Sequence, residues 1–197
     1  MDEARDEDLV RRFQGGDAGA FAALVHRHER RVYNLALRMT GREEDARDAT
    51  QDAFLAALRK LHTFRGEAAF TTWMHRVTVN ACYDLLRKRR GAPLPLGGDR
   101  ADEGGPPRPE PAVPDHAERV DVAIDVRRAL LAVPEEFRAV LILCDVQDLS
   151  YEDAAAALGV PVGTVKSRLH RGRVALGRLL GGERPSPSRP SEGTVTP

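Results

Sequence analysis

The placement of proline constrains this chain more than any other feature. Seven of its 13 prolines (Pro93, Pro95, Pro106, Pro107, Pro109, Pro111, Pro114) fall within residues 91–116, beside five glycines, and four more fall within 183–197. Proline locks φ and lacks an N–H, while glycine loses the most backbone freedom on ordering, so neither stretch can run as helix or central strand. The two remaining prolines, Pro134 and Pro161, stand where a helix can begin, the position proline tolerates best. The pattern predicts two compact units, 1–90 and 117–182, tied by a loose linker over 91–116 and followed by a frayed tail over 183–197.

Both units read as helical. Phe137, Val140, Leu141 and Cys144 recur at i, i+3, i+4 and i+7, as do Tyr151, Ala154, Ala155 and Leu158. Ser150 and Asp153 make a capping-box-like start before Tyr151, and Gly159 supplies a stop. In the first unit Asp17 can cap a helix that Gly41 ends; others run from about Glu44 to Leu61 and from about Phe70 to Arg90. With no alternating stretch of useful length, the expected fold class is all-α: two small helical domains.

Several function classes drop out. No apolar run approaches the roughly 18 residues needed to span a bilayer, and the acidic start has no secretory h-region. Cys82 and Cys144 form no CxxC, which fits a reducing cytoplasm. His26 and His28 stand at i, i+2 and so point to different sides of a helix, with no companion ligand, so no metal is expected. Gly159 to Ser167 echoes a phosphate loop, but Val165 stands where that motif needs glycine. No nucleophile elbow or dinucleotide fingerprint is present. Neither catalytic residues nor a cofactor are expected, and the chain reads as a binding protein rather than an enzyme.

The net charge of zero, 30 basic against 30 acidic side chains, argues against a nucleic-acid partner only until it is divided. From Ala154 to Gly182 there is no carboxylate, yet Lys166, Arg168, Arg171, Arg173 and Arg178 lie there. Between Asp84 and Asp99 there is likewise none, while Arg87, Lys88, Arg89 and Arg90 run together. One such run is commonly a solvated face; two, each closing a helical unit, point to phosphate.

Residues 150–173 match a DNA-reading helix-turn-helix: a short helix, a glycine-containing turn and a longer helix. Val165, Leu169, Leu176, Leu179 and Leu180 are placed to pack inward, leaving Lys166, Ser167, His170, Arg171 and Arg173 on a polar, basic face suited to a major groove. In the first unit Trp73, Arg76, Asn80, Tyr83 and Arg87 share one helix face after Phe64, Arg65 and Phe70. Rings beside cations suit unpaired bases, since a ring stacks any base while the cations follow the backbone. Phe70 and Trp73 can equally be core anchors. Two rival readings stay open from these residues: a transcription regulator with a sensory first domain, and a helical scaffold.

The stretches Asp48-Ala-Thr-Gln51-Asp52-Ala-Phe54, Phe64-Arg65-Gly66, Trp73-Met-His-Arg76-Val-Thr-Val-Asn80 and Gly163-Thr164-Val165-Lys166-Ser167-Arg168, in this order, resemble the extracytoplasmic-function sigma factors, the smallest branch of the sigma-70 family. The resemblance implies that Asp48, Gln51, Asp52 and Leu55 dock on core RNA polymerase. It implies that Phe64, Arg65, Phe70, Trp73, Arg76, Asn80 and Arg87 serve the melted −10 element, and that Lys166, Ser167, His170, Arg171 and Arg173 read the −35 element as duplex. Core RNA polymerase, promoter DNA and an anti-sigma factor are the implied partners. At about 3.1 Å per extended residue, the 26 residues of the linker reach roughly 80 Å, against about 34 Å for one DNA turn.

Overall fold

The computed structural model describes residues 5–91 and 121–181, with side chains from 126 onward in the second segment. The 91–116 linker, beyond Gly91, and the 183–197 tail lie outside the described residues. Every regular element among those residues is helical: α1 (Asp6–Gln14), α2 (Ala18–Thr40), α3 (Glu43–Lys60), a 3-10 turn (Leu61–Thr63), α4 (Phe70–Arg89), α5 (Asp121–Ala132), α6 (Glu135–Leu141), a π-helical turn (Ile142–Val146), α7 (Tyr151–Leu158) and α8 (Val162–Leu180).

The helix ends follow the local chemistry. Asp17 accepts a hydrogen bond from the Gly19 N–H at 2.9 Å, and Gly41 closes α2 at φ 80°, a left-handed turn that favours glycine. The Ser150 hydroxyl accepts from the Asp153 N–H at 3.0 Å and donates to the Asp153 carboxylate at 2.7 Å, which starts α7 as its capping pattern predicts. Proline stands at the N-cap of both α6 and α8. Two further helices, α1 and α5, join those named from the sequence. In α1 three acids fill the first turn, two arginines close the last, and Leu9 and Val10 are its buried residues.

The inner face of α3 is Ala46, Ala49, Ala53 and Ala57, all fully buried. Their small size lets α2 and α4 approach α3 closely, so its large side chains are left for the outer face. One apolar cluster lies within residues 5–91 and includes Leu9, Leu24, Val32, Leu61, Phe70 and Met74. A second cluster joins Leu35, Met39, Val79 and Cys82 to Val140, Leu141, Ile142, Ala154 and Val165.

The two units therefore do not hang apart on a strap; they share a core. Polar contacts follow the same seam. Arg127 donates to the Gly41 carbonyl at 2.8 Å, the Tyr83 hydroxyl to the Glu135 carbonyl at 3.5 Å, and Thr72 to the Asp153 carboxylate at 3.4 Å, while Arg90 pairs with Glu135.

On α8, Val165 and Leu169 are buried as their spacing predicts, but Leu179 and Leu180 are exposed, at 47% and 45%. The last buried position of α8 is Gly172, and the helix runs on beyond it. Gly172 costs helix propensity for a packing reason: a side chain there would meet Leu141 Cγ at 3.0 Å and the Phe137 carbonyl at 3.3 Å. Leu141 is itself buried, so it has little room to give way.

Candidate nucleic-acid and polymerase interface

Three surfaces hold the residues singled out above. On α3, Asp48, Gln51, Asp52 and Leu55 are exposed along one stripe, at the i, i+3, i+4 and i+7 positions opposite the alanine face. Leu55 is 43% exposed, and Leu58, one turn further, is 41% exposed. Leu58 extends the same stripe; its i+3 spacing from Leu55 was the available signal. Exposed leucines flanked by carboxylates suit a helix-on-helix contact better than solvent.

The second surface is the 64–69 segment with α4. Phe64, Phe70 and Trp73 form one aromatic group, with ring centroids 5.2 to 6.3 Å apart. Phe70 is only 2% exposed and lies under the other two, so it belongs to the core. Phe64 and Trp73 are half-buried, which leaves part of each ring at the surface. Arg65, Arg76 and Asn80 are exposed. A groove of about 690 Å³ runs between Lys60, Phe64, Arg65, Trp73 and Arg76 on one side and Ala156 and Gly159 of the second unit on the other. Further along α4, Arg87 pairs with Asp84 at 2.9 Å, and its side chain is only 15% exposed. Tyr83 does not join this surface. It packs against the second unit, and burial pushes its hydroxyl up to about 12.

Beneath the aromatic group lie two histidines. His28 is held at 2.8 Å by Asp6, which also accepts from Arg27 at 2.7 Å, and its ring meets that of Phe70 at 5.2 Å. His75 is buried, with neither ring nitrogen hydrogen-bonded among the described residues. Burial pushes His75 down to about 4, helped by the charges of Arg31 and His28. Burial lowers His28 as well, against the opposing pull of Asp6.

The folded state thus holds fewer protons than the unfolded chain between the ordinary histidine value of 6.5 and about 4. His75's stabilising share is complete above pH 6.5 and is lost as the pH falls toward 4, by at most about 1.4 kcal/mol per pH unit. Urea midpoints across this range should show that slope, and a His75→Leu chain should show a shallower one. Equal slopes would mean that other groups carry the acid sensitivity.

The third surface is α8. Lys166, Ser167, His170, Arg171 and Arg173 are all exposed, while Val165, Leu169 and Gly172 face inward. The Lys166 ammonium stands 5.7 Å from the Tyr151 ring centroid, and the Ser167 hydroxyl donates to the Thr164 carbonyl at 3.0 Å. Arg173 donates to both carboxylate oxygens of Asp145 on the π turn, at 2.6 and 3.1 Å. Arg168 pairs with Glu136 at 3.4 Å. No ion pair joins Arg171 to a carboxylate among the described residues. The zero net charge therefore has a local basis: several cations near these faces are met by a carboxylate from the same unit.

An all-helical chain with an aromatic and basic helix in one unit and a helix-turn-helix in the other defines a class, and the comparisons agree on it. Residues 24–92 match the model of Sigma-70 region 2, and residues 123–176 match that of Sigma-70, region 4. The chain is 43% identical over 180 residues to the ECF RNA polymerase sigma factor SigM of Mycobacterium tuberculosis, covering 91% of this chain and 86% of that one. The chain belongs to the extracytoplasmic-function sigma factors of the sigma-70 family: it is an alternative sigma factor that directs transcription by RNA polymerase, and not an enzyme.

Two solved structures are similar to it. CnrH, in complex with the cytosolic domain of CnrY, aligns with a TM-score of 0.67 and 28% identity over 91% of this chain and 99% of that one. The sigma factor RpoE of Bartonella quintana, in complex with the anti-sigma factor NepR, aligns with a TM-score of 0.61 and 25% identity over 83% and 98%. Family membership disposes of the sensory-regulator and scaffold readings. No described helix is long and apolar enough to cross a membrane.

Proposed function

We propose that this chain joins core RNA polymerase in the cytoplasm through the α3 stripe, reads a −35 element as duplex with α8, and captures the unpaired −10 strand at the 64–69 segment and α4. The observation that carries this reading is the division of α8. Its inner face is aliphatic and glycine, its outer face offers Lys166, Ser167, His170 and Arg171, and the helix contains no carboxylate. A helix of this kind can enter a major groove without meeting like charge. Arg173, held by Asp145, would have to leave that carboxylate to reach a phosphate. On the first unit Arg65 and Arg76 line the same groove as Phe64 and Trp73, with Asn80 exposed and Arg87 further along α4. This suits base stacking with backbone contacts, while Phe70 supports the platform from below.

Reading two separated elements at once needs the units further apart than their shared core allows, and the roughly 80 Å reach of the linker is sufficient. CnrH, in complex with the cytosolic domain of CnrY, and RpoE, in complex with the anti-sigma factor NepR, both align with this chain, which supports control by an anti-sigma factor.

Run-off transcription with core polymerase and a promoter library is the direct test. The expected result is initiation at a defined set of promoters; failure to bind core polymerase in a pull-down overturns the reading. Within that assay Arg171→Ala should cost about 1–3 kcal/mol at one −35 position, as a base contact does. Equal losses on every duplex would make Arg171 a phosphate contact.

A further inference from the structure

The 64–69 segment has no helix or strand of its own to hold it. Its amide at Phe64 donates to the Leu61 carbonyl at 3.2 Å, and Gly66 turns it at φ 72°. Among the described residues, one side chain from far away in sequence hydrogen-bonds to its backbone. The Gln14 carboxamide nitrogen donates to the Leu61 carbonyl at 3.1 Å and to the Phe64 carbonyl at 2.9 Å, across 47 and 50 residues. An amide nitrogen carries two hydrogens, so it can make both bonds. Turning the amide over would set its oxygen against two carbonyl oxygens, so the partners themselves fix its orientation.

Gln14 is well placed to act as a fixed point. It is the last residue of α1, and α1 is pinned to α2 by the contacts of Asp6 with Arg27 and His28 and by the burial of Leu9 and Val10. The position lies before residue 24, where the match to Sigma-70 region 2 begins. We propose that Gln14 is a positioning residue for promoter-strand capture: its carboxamide holds the start of the 64–69 segment so that Phe64 and Arg65 meet an unpaired base in a preset geometry. This rests on the reading of that segment as the −10 site. Without the two bonds the segment samples other conformations, and each binding event must first reorder it.

The test uses holoenzyme assembled from core polymerase and the full chain, with a fork template carrying an unpaired −10 strand from a promoter recovered by run-off transcription. Gln14→Met keeps length and neutrality but cannot donate. It should weaken binding of the unpaired strand about 5- to 20-fold, as expected for two lost hydrogen bonds, and leave −35 duplex affinity within about twofold. Amide exchange at residues 64–69 of the free chain should quicken, with little change in the urea midpoint because Gln14 is exposed. Gln14→Glu, which sets a carboxylate against the same carbonyls, should lose at least as much.

Arg65→Ala serves as the control for the underlying reading. If Arg65→Ala weakens strand binding and Gln14→Met does not, Gln14 is idle and the proposal is wrong. If neither weakens it, the −10 assignment itself fails. Parallel losses at the −10 strand and the −35 duplex, with a lowered midpoint, would make Gln14 a general stabilising residue and also overturn the proposal.

Discussion

Arg138→Met is expected to lower the unfolding free energy of the full chain by about 3 kcal/mol. Arg138 is 5% exposed, and its guanidinium donates to four backbone carbonyls. It donates to the carbonyls of Leu130 at 3.0 Å, Val133 at 2.9 Å and Met39 at 2.5 Å, and to that of Leu131. Leu130 and Leu131 lie in the last turn of α5, and Met39 lies in the last turn of α2. A helix leaves its last four carbonyls without internal partners, and its C-terminal end carries partial negative charge.

A single buried cation therefore caps one helix from each unit. Methionine fills much of the volume but abandons these carbonyls, each buried one costing about 1–3 kcal/mol if water does not reach it. Arg138→Lys should recover less than half of the loss, since a point donor cannot span the fork's four partners. Hydrogen exchange gives the decisive signature: protection should fall at the ends of both α2 and α5. A loss below about 1 kcal/mol, or loosening confined to α5, would show that the cross-unit bond to Met39 contributes nothing.

Phe70→Ala should cost about 3–5 kcal/mol, the usual range for emptying a buried aromatic site. The ring touches Phe64, Trp73 and His28, with centroids 5.2 to 6.3 Å away, and is 2% exposed, so little can relax into the space. Loss of the ring also removes the floor under Phe64 and Trp73, so strand binding falls with stability. Arg65→Ala makes the contrast. Arg65 is exposed, so its substitution should move the urea midpoint by less than about 0.5 kcal/mol while still weakening strand binding. Should Phe70→Ala keep full stability and lose only DNA affinity, the ring would have to be a direct stacking surface rather than a support.

These two residues mark where reading the sequence succeeds and where it stops. Spacing places Phe70 beside Phe64 and Trp73, but helical spacing cannot tell a ring on the core face from one on its rim. The aliphatic positions of α8 up to Leu169 declare their inward face, because burial repeats with the helical period. Leu179 and Leu180 keep that period without being buried, because the period persists after the packing partner ends.

Arg138 sits in α6 between apolar neighbours and reads as a surface cation; its four acceptors come from residues 5 to 99 positions away. Gln14 carries no pattern at all, because its two acceptors lie 47 and 50 residues away.

What the sequence determined by itself was the partition by proline and glycine, the helical class, and the carboxylate-free face of α8. Each is a local property: backbone stereochemistry, a repeat of 3.6 residues, or charge within one helix. Only the tertiary structure decided that the two units share one apolar cluster, that Arg138 caps both, and that Gln14 fastens the 64–69 segment. Those facts depend on which distant surfaces meet. Apolar burial rewards many such meetings almost equally, whereas a guanidinium or a carboxamide is satisfied only where its partners converge.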